Sequence, residues 1–96
     1  MMDRKTEYVE TLSAQVVEWE AQLDLLKYRA ENAPAELQSA YRQKIDALLL
    51  KKKEAELKLQ GISAASDDTW EELKEGTENV WNEVRSDLHD AIMNIK

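Results

Sequence analysis

Ninety-six residues allow one domain with a modest core, which leaves room for added stability from self-association. The absence of cysteine excludes a disulfide framework, a thiolate nucleophile and a Cys-based zinc site. The net charge of −7 opposes nucleic-acid binding and gains nothing from anionic lipid, and no apolar run approaches the ~20 residues that span a bilayer.

The charge is unevenly spread. Residues 3–31 carry seven acids and four bases, residues 36–60 four acids and six bases, and residues 67–96 nine acids and three bases. The middle segment is therefore the electrostatic neighbour of both outer ones. The opening Met-Met-Asp-Arg-Lys-Thr-Glu lacks the apolar segment of a secretory signal, so the expected location is cytoplasmic.

A first helix is predicted over about 3–32, with Asp3 as its N-cap. Steps of three and four residues trace an apolar stripe through Val9, Leu12, Val16, Trp19, Leu23, Leu26, Ala30 and Ala33. A 3.5-residue period of this kind points to coiled-coil packing against another helix. Pro34 disfavours helix at the residue before it and ends the segment.

A second helix is predicted over about 34–60, with Pro34 early in it, where a missing N–H is harmless. Its stripe runs through Tyr41, Ile45, Leu48, Ala55, Leu59 and Ile62. Lys52 falls on that stripe and is expected to lay its stem on the core and hold its ammonium in water. Gly61 and the following Ser63-Ala64-Ala65-Ser66 are expected to end the helix.

A third helix is predicted over about 67–95, with Asp68–Glu71 and Thr69–Glu72 at capping-box spacing. Its apolar residues recur every eleven: Trp70, Trp81 and Ile92; Leu73, Val84 and Ile95; Thr77 and Leu88. Eleven residues in three turns lie close to the period of an unstrained helix. Gly76 falls inside this helix, as a close approach or as a weak point.

Short links make sequential helices antiparallel neighbours. The expected fold is all-α: three long amphipathic helices in an up-down-up antiparallel three-helix bundle. An elongated helical hairpin that dimerises is the alternative. The predicted core or interface residues are Val9, Leu12, Val16, Trp19, Leu23, Leu26, Tyr41, Ile45, Leu48, Leu59, Trp70, Leu73, Trp81, Val84 and Leu88. Counting outward from the turns places Trp19, Leu48 and Trp81 in one central layer, with Ile45 nearby.

Few residue constellations suggest chemistry. His89 is the only histidine, and its neighbours Asp87 and Asp90 diverge from it on a helix, so a solvated face accounts for the cluster. The acids of the third helix lack the glycine-containing loop of an EF-hand. Lys51-Lys52-Lys53, with Arg42, Lys44 and Lys58, forms the one basic patch, and pairing with the acidic helices explains it. Trp70, near a bundle end, is the tryptophan expected to stay half exposed. No serine sits in a Gly-x-Ser-x-Gly elbow, and no phosphate loop can be made from two glycines. No catalytic residue, cofactor or metal ligand is expected, and the chain does not read as an enzyme.

Tyr8-Val9 and Leu12-Ser13-Ala14-Gln15 in the first helix, the segment Ser66 to Gly76, and Val80-Trp81 carry a resemblance. The chain resembles the small uncharacterised bacterial and archaeal coiled-coil-domain proteins, some of them grouped with stress-responsive proteins. That resemblance implies no catalytic residues. In architecture, with tryptophan on the first and third helices, the chain also resembles a spectrin-type repeat. The expected function is a non-catalytic helical scaffold or protein–protein interaction protein that self-associates or takes a partner helix. The alternative is a reversible binder of lipid or another apolar surface through the third helix, a peripheral contact that its charge opposes.

Overall fold

The computed structural model describes residues 3–95. Met1, Met2 and Lys96, which entered the leader and charge expectations, lie outside the described residues. Three helices follow one another: α1 (Arg4–Glu31), α2 (Ala35–Ala64) and α3 (Trp70–Asn94). They pack together as a three-helix bundle measuring 52 × 22 × 18 Å.

The termini explain the helix bounds. Asp3 caps α1, its carboxylate accepting the Thr6 N–H at 2.7 Å. That bond holds the Asp3 carboxyl below its usual range. Asn32 closes α1, with its amide donating to the Tyr28 carbonyl at 2.8 Å. Pro34 stands one residue before α2 as its N-cap, and its carbonyl accepts the Leu37 N–H at 2.8 Å.

The second break differs from expectation. Helix α2 runs through Gly61 and ends at Ala64. Glycine in a helix costs only about 1 kcal/mol, and the wholly buried Ile62 anchors the turn that contains it. The chain then turns over Ser66, whose carbonyl accepts the N–H groups of Thr69 and Trp70, both at 3.1 Å. Helix α3 therefore opens at Trp70, with no side-chain cap from Thr69; the expected capping boxes are not formed.

Helix directions follow from contacts between the ends. Lys5, at the start of α1, donates to the carbonyls of Ser63 and Ala65, at 3.4 and 2.8 Å. Arg29, at the end of α1, donates to the Ile95 carbonyl at 3.3 Å. So α1 is antiparallel to α2 and parallel to α3. Gln38 donates to the carbonyls of Glu31 and Ala33, at 3.2 and 3.0 Å. The C-terminal end of every helix thus receives a side-chain donor from another helix, where orphan carbonyls and the helix dipole favour one.

A single apolar cluster runs the length of the bundle. It includes Leu12, Trp19, Leu23, Leu26 and Ala30 of α1, Ile45, Leu48 and Ala55 of α2, and Val80, Trp81, Val84 and Leu88 of α3. The backbones of α1 and α3 approach each other less closely than either approaches α2. Aromatic pairs fill the α1–α3 seam: Trp19 against Trp81 and Tyr8 against Trp70. On α2 the wholly buried Ala55 takes little room and lets that helix come near.

The heptad stripe of α1 is only partly central. Val9 and Val16 are half-buried, whereas Leu23 and Ala30 are buried. A seven-residue repeat drifts by ~20° per heptad round an ordinary α-helix. The drift leaves Val9 and Val16 at the edge of the α1–α2 groove and brings Leu23 and Ala30 to the centre.

Candidate functional site

The residues of interest form three groups: the aromatic seam between α1 and α3, the ion pairs of α2, and the outward faces. Within the seam the Trp19 and Trp81 ring centroids are 4.6 Å apart at 42°. The Trp81 indole N–H donates to Gln15 Oε1 at 2.5 Å, so burial of the indole leaves no unpaired donor. Tyr8 and Trp70 repeat the arrangement toward the bundle end, 5.6 Å apart at 40°. The Lys74 ammonium lies 5.2 Å from the Tyr8 ring and 5.9 Å from that of Trp70, within reach of both π faces. The Tyr8 hydroxyl donates to Glu78 Oε1 at 3.4 Å. Burial and then the Glu78 charge push the Tyr8 phenol up to about 12.

The basic middle segment engages both acidic helices. Lys51 meets Glu83 of α3 at 2.6 Å, and Lys52 meets Glu20 of α1 at 3.3 Å and Glu56 of its own helix at 2.6 Å. Each ammonium is held above its usual range, Lys51 first by its bond to Glu83 and Lys52 first by its bond to Glu56. The Lys52 side chain is only 15% exposed, so its stem lies along the core and its charge is met by carboxylates as well as water.

Of the fifteen residues predicted from sequence, Leu12, Trp19, Leu23, Leu26, Ile45, Leu48, Trp70, Trp81, Val84 and Leu88 are buried. Val9, Val16, Tyr41 and Leu59 are half-buried. Leu73 is 45% exposed. Carrying the Lys51–Glu83 register toward the link sets Leu73 level with the last turn of α2, Gly61 to Ala64, where Ile62 is wholly buried and the exposed Gly61, Ser63 and Ala64 are small. Trp70, expected to be half exposed, is buried because Tyr8 and Lys74 close over it.

The expected central layer divides. Trp19 and Trp81 share a layer, but the Lys52–Glu20 and Lys51–Glu83 pairs set residues near 53 of α2 beside them. Leu48 lies about one and a half turns away, toward Leu23 and Leu88. Counting from the turns assumes that two helices leave a link level with each other; the link after Glu31 offsets them. Val80 and Ala91 are buried and were not among the predicted residues. They stand eleven apart, the same spacing as the rest of the α3 stripe, and that spacing was the available signal.

Among the described residues no three His, Cys, Asp or Glu side chains gather in a group that could hold a metal ion. His89, Asp87 and Asp90 all face outward. The surface depressions described are open grooves between helices; one of about 440 Å³ runs between α1 and α2 along Val9, Val16 and Leu59. No described helix is long and apolar enough to cross a membrane. No protein-family model, no curated protein and no solved structure matches this chain.

Proposed function

We propose that this chain is a non-catalytic helical interaction protein whose mode of action is self-association through helix–helix contacts. The observation that carries the reading is the set of large apolar side chains left on the outer faces of α1 and α2: Val17 and Tyr28 at 65% exposure, Leu50 at 71% and Leu57 at 58%. The bundle interior is already filled without them. Large exposed apolar patches mark sites of interaction with other proteins or with membranes.

The dispersed chemistry supports the same reading. The polar side chains that converge do so in structural pairs, such as Gln15 with Trp81 and Lys51 with Glu83. Lipid binding through α3 would require the bundle to open, because Trp70, Val80, Trp81, Val84 and Leu88 are all buried.

Sedimentation over a hundredfold range of concentration tests the proposal. Mass that rises with concentration to a dimer or beyond is the expected result. A monomer across the whole range overturns self-association as the mode of action.

A further inference from the structure

The break between α2 and α3 is confined to a very short stretch. Ala65 is extended, with φ −74° and ψ 154°, but helical bonding resumes at once. The Trp70 N–H reaches the Ser66 carbonyl at 3.1 Å, the four-residue bond of an α-helix, and Thr69 has right-handed helical backbone angles. The link from Ala65 to Thr69 holds neither glycine nor proline, so no residue in it forbids a helix. At the other link Pro34 does, because a proline inside a helix removes one bond and clashes with the carbonyl four residues before it.

The apolar stripes of α2 and α3 keep phase across the break. Ala55, Leu59 and Ile62 before it and Trp70, Leu73 and Thr77 after it follow one another by three and four residues when Ser66 is counted between them. A turn sets no such condition, since it reorients the second helix whatever the number of residues in the link. Continued through the link, α2 and α3 make one helix with both stripes on a single side.

We infer that α2 and α3 join into one helix in a second state of this chain, and that two copies in that state exchange α3. The inference rests on the self-association reading and names the element exchanged. Two joined helices, side by side and antiparallel, restore every direction in the bundle. Each α3 is antiparallel to α2 and parallel to α1 of its new host. Trp81 meets Trp19 and Glu83 meets Lys51 between copies as they do within one. The contacts are those of the single bundle, so the hairpin vacated by one α3 fits the α3 of the other copy, as exchange of an identical element requires. The two-fold falls at Asp67, midway between Lys51 and Glu83. Asp67 and Asp68 follow Ser66 by one and two residues and lie off the stripe, so their carboxylates turn away from the contact.

Lys5 holds the bent state. Its ammonium donates to the carbonyls of Ser63 and Ala65, at 3.4 and 2.8 Å. In a joined helix those two carbonyls accept the N–H groups of Asp67 and Thr69. The ammonium and the joined helix therefore compete for the same acceptors. Ser66, Asp67, Asp68 and Thr69 are weaker helix formers than alanine and also favour the bend. The joined state gains at high concentration, where a second copy is at hand.

Paired spin labels read the joined helix directly. Lys53→Cys and Asn82→Cys label two exposed positions that lie level in the bundle, within about its 22 Å breadth. Along one straight helix they stand about 44 Å apart. Doubly labelled chains in a large excess of unlabelled ones report distances within a chain only. After refolding from urea at high concentration, the dimer isolated by gel filtration is expected to show the long distance and the monomer the short one. Lys5→Met is expected to raise the dimer fraction several-fold; an unchanged fraction overturns its part in holding the bend. Ser66→Pro is expected to remain monomeric, since Ala65 already has the extended backbone that a following proline requires and proline blocks the joined helix. A dimer with only the short distance overturns exchange and leaves self-association standing, as does a Ser66→Pro chain that dimerises like the parent. The distance in the dimer decides without the proline variant. A monomer in every sample removes both readings.

Discussion

The indole of Trp19 packs on that of Trp81 with 4.6 Å between ring centroids, and this contact sets the register of α1 against α3. Eleven residues earlier on both helices, Tyr8 meets Trp70. Eleven residues later stand Ala30, buried, and Ile92, packed against the core. The two parallel helices thus share an eleven-residue spacing, close to the natural period of an α-helix. Large rings hold these two helices apart, and the third fits against them with alanine at Ala55.

Truncating Trp81 is expected to cost the most of any single change. Trp81→Ala removes a fully buried ring, its partner contact and the bond to Gln15, a loss of about 3–5 kcal/mol. A small domain holds little more than that in total. Trp81→Phe keeps a ring beside Trp19 and loses the indole donor, for roughly 1–2 kcal/mol. Urea midpoints of the three proteins check the order; a Trp81→Ala variant within 1 kcal/mol of the parent would show that the seam is not a major source of stability.

The sequence made the fold class and most of the buried positions legible because each helix carries a clear apolar period bounded by a proline or a cluster of small polar residues. Its register was less legible. Leu48 misses the tryptophan layer because the offset between two helices is decided by the link and by side-chain packing, neither of which leaves a periodic mark. Val9 and Val16 belong to a flawless heptad pattern and still reach only the groove edge. A pattern of apolar residues does not reveal which neighbour sets the helix's rotation. The exposed Val17 and Tyr28 of α1 were hidden by the same heptads, since one strong stripe draws attention from apolar residues on the opposite side. Function left no mark in the form of a converging polar group.

Both glycines are expected to be replaceable with a gain in stability. A Cβ at Gly61 or at Gly76 meets nothing within 4 Å, and neither residue has a positive φ. Each lies inside a helix, where alanine is favoured by about 1 kcal/mol. Neither position serves close helix approach, so the weak-point reading of Gly76 is the one the geometry supports. Thermal unfolding of Gly61→Ala, Gly76→Ala and the double variant should show increases that add. A lower melting temperature for Gly76→Ala would mean that α3 has a bent state the glycine permits.

The two cations of α1 that cap other helices act at opposite ends of a 52 Å bundle. Lys5→Met and Arg29→Met keep an apolar stem and remove the donor. Each is expected to lose about 0.5–1 kcal/mol at low salt, from the hydrogen bond and the favourable end of a helix dipole. The sites share no partner, so the double variant should lose the sum of the two. High salt should shrink both losses through screening. Denaturant titrations on dilute protein at two ionic strengths provide the measurement, and losses that ignore salt would assign the effect to packing of the stems instead.

Alkaline conditions should expose the Tyr8–Glu78 contact. Burial, and then the neighbouring carboxylate, raise the Tyr8 phenol to about 12 in the folded chain, against roughly 10 when unfolded. Below pH 10 both states keep the proton and the contribution is whole. As pH rises from about 10 toward about 12, the unfolded chain releases its proton first, so folding loses stability over that window. Lys51 and Lys52, also raised, push in the same direction as their ion pairs discharge. Tyr8→Phe isolates the phenol: it keeps the ring against Trp70 and removes the titrating group. Urea unfolding at about pH 9 and about pH 11 should show a smaller loss for Tyr8→Phe than for the parent chain. Equal losses would mean that the phenol titrates alike in both states, and that the hydroxyl does not hold its place beside Glu78.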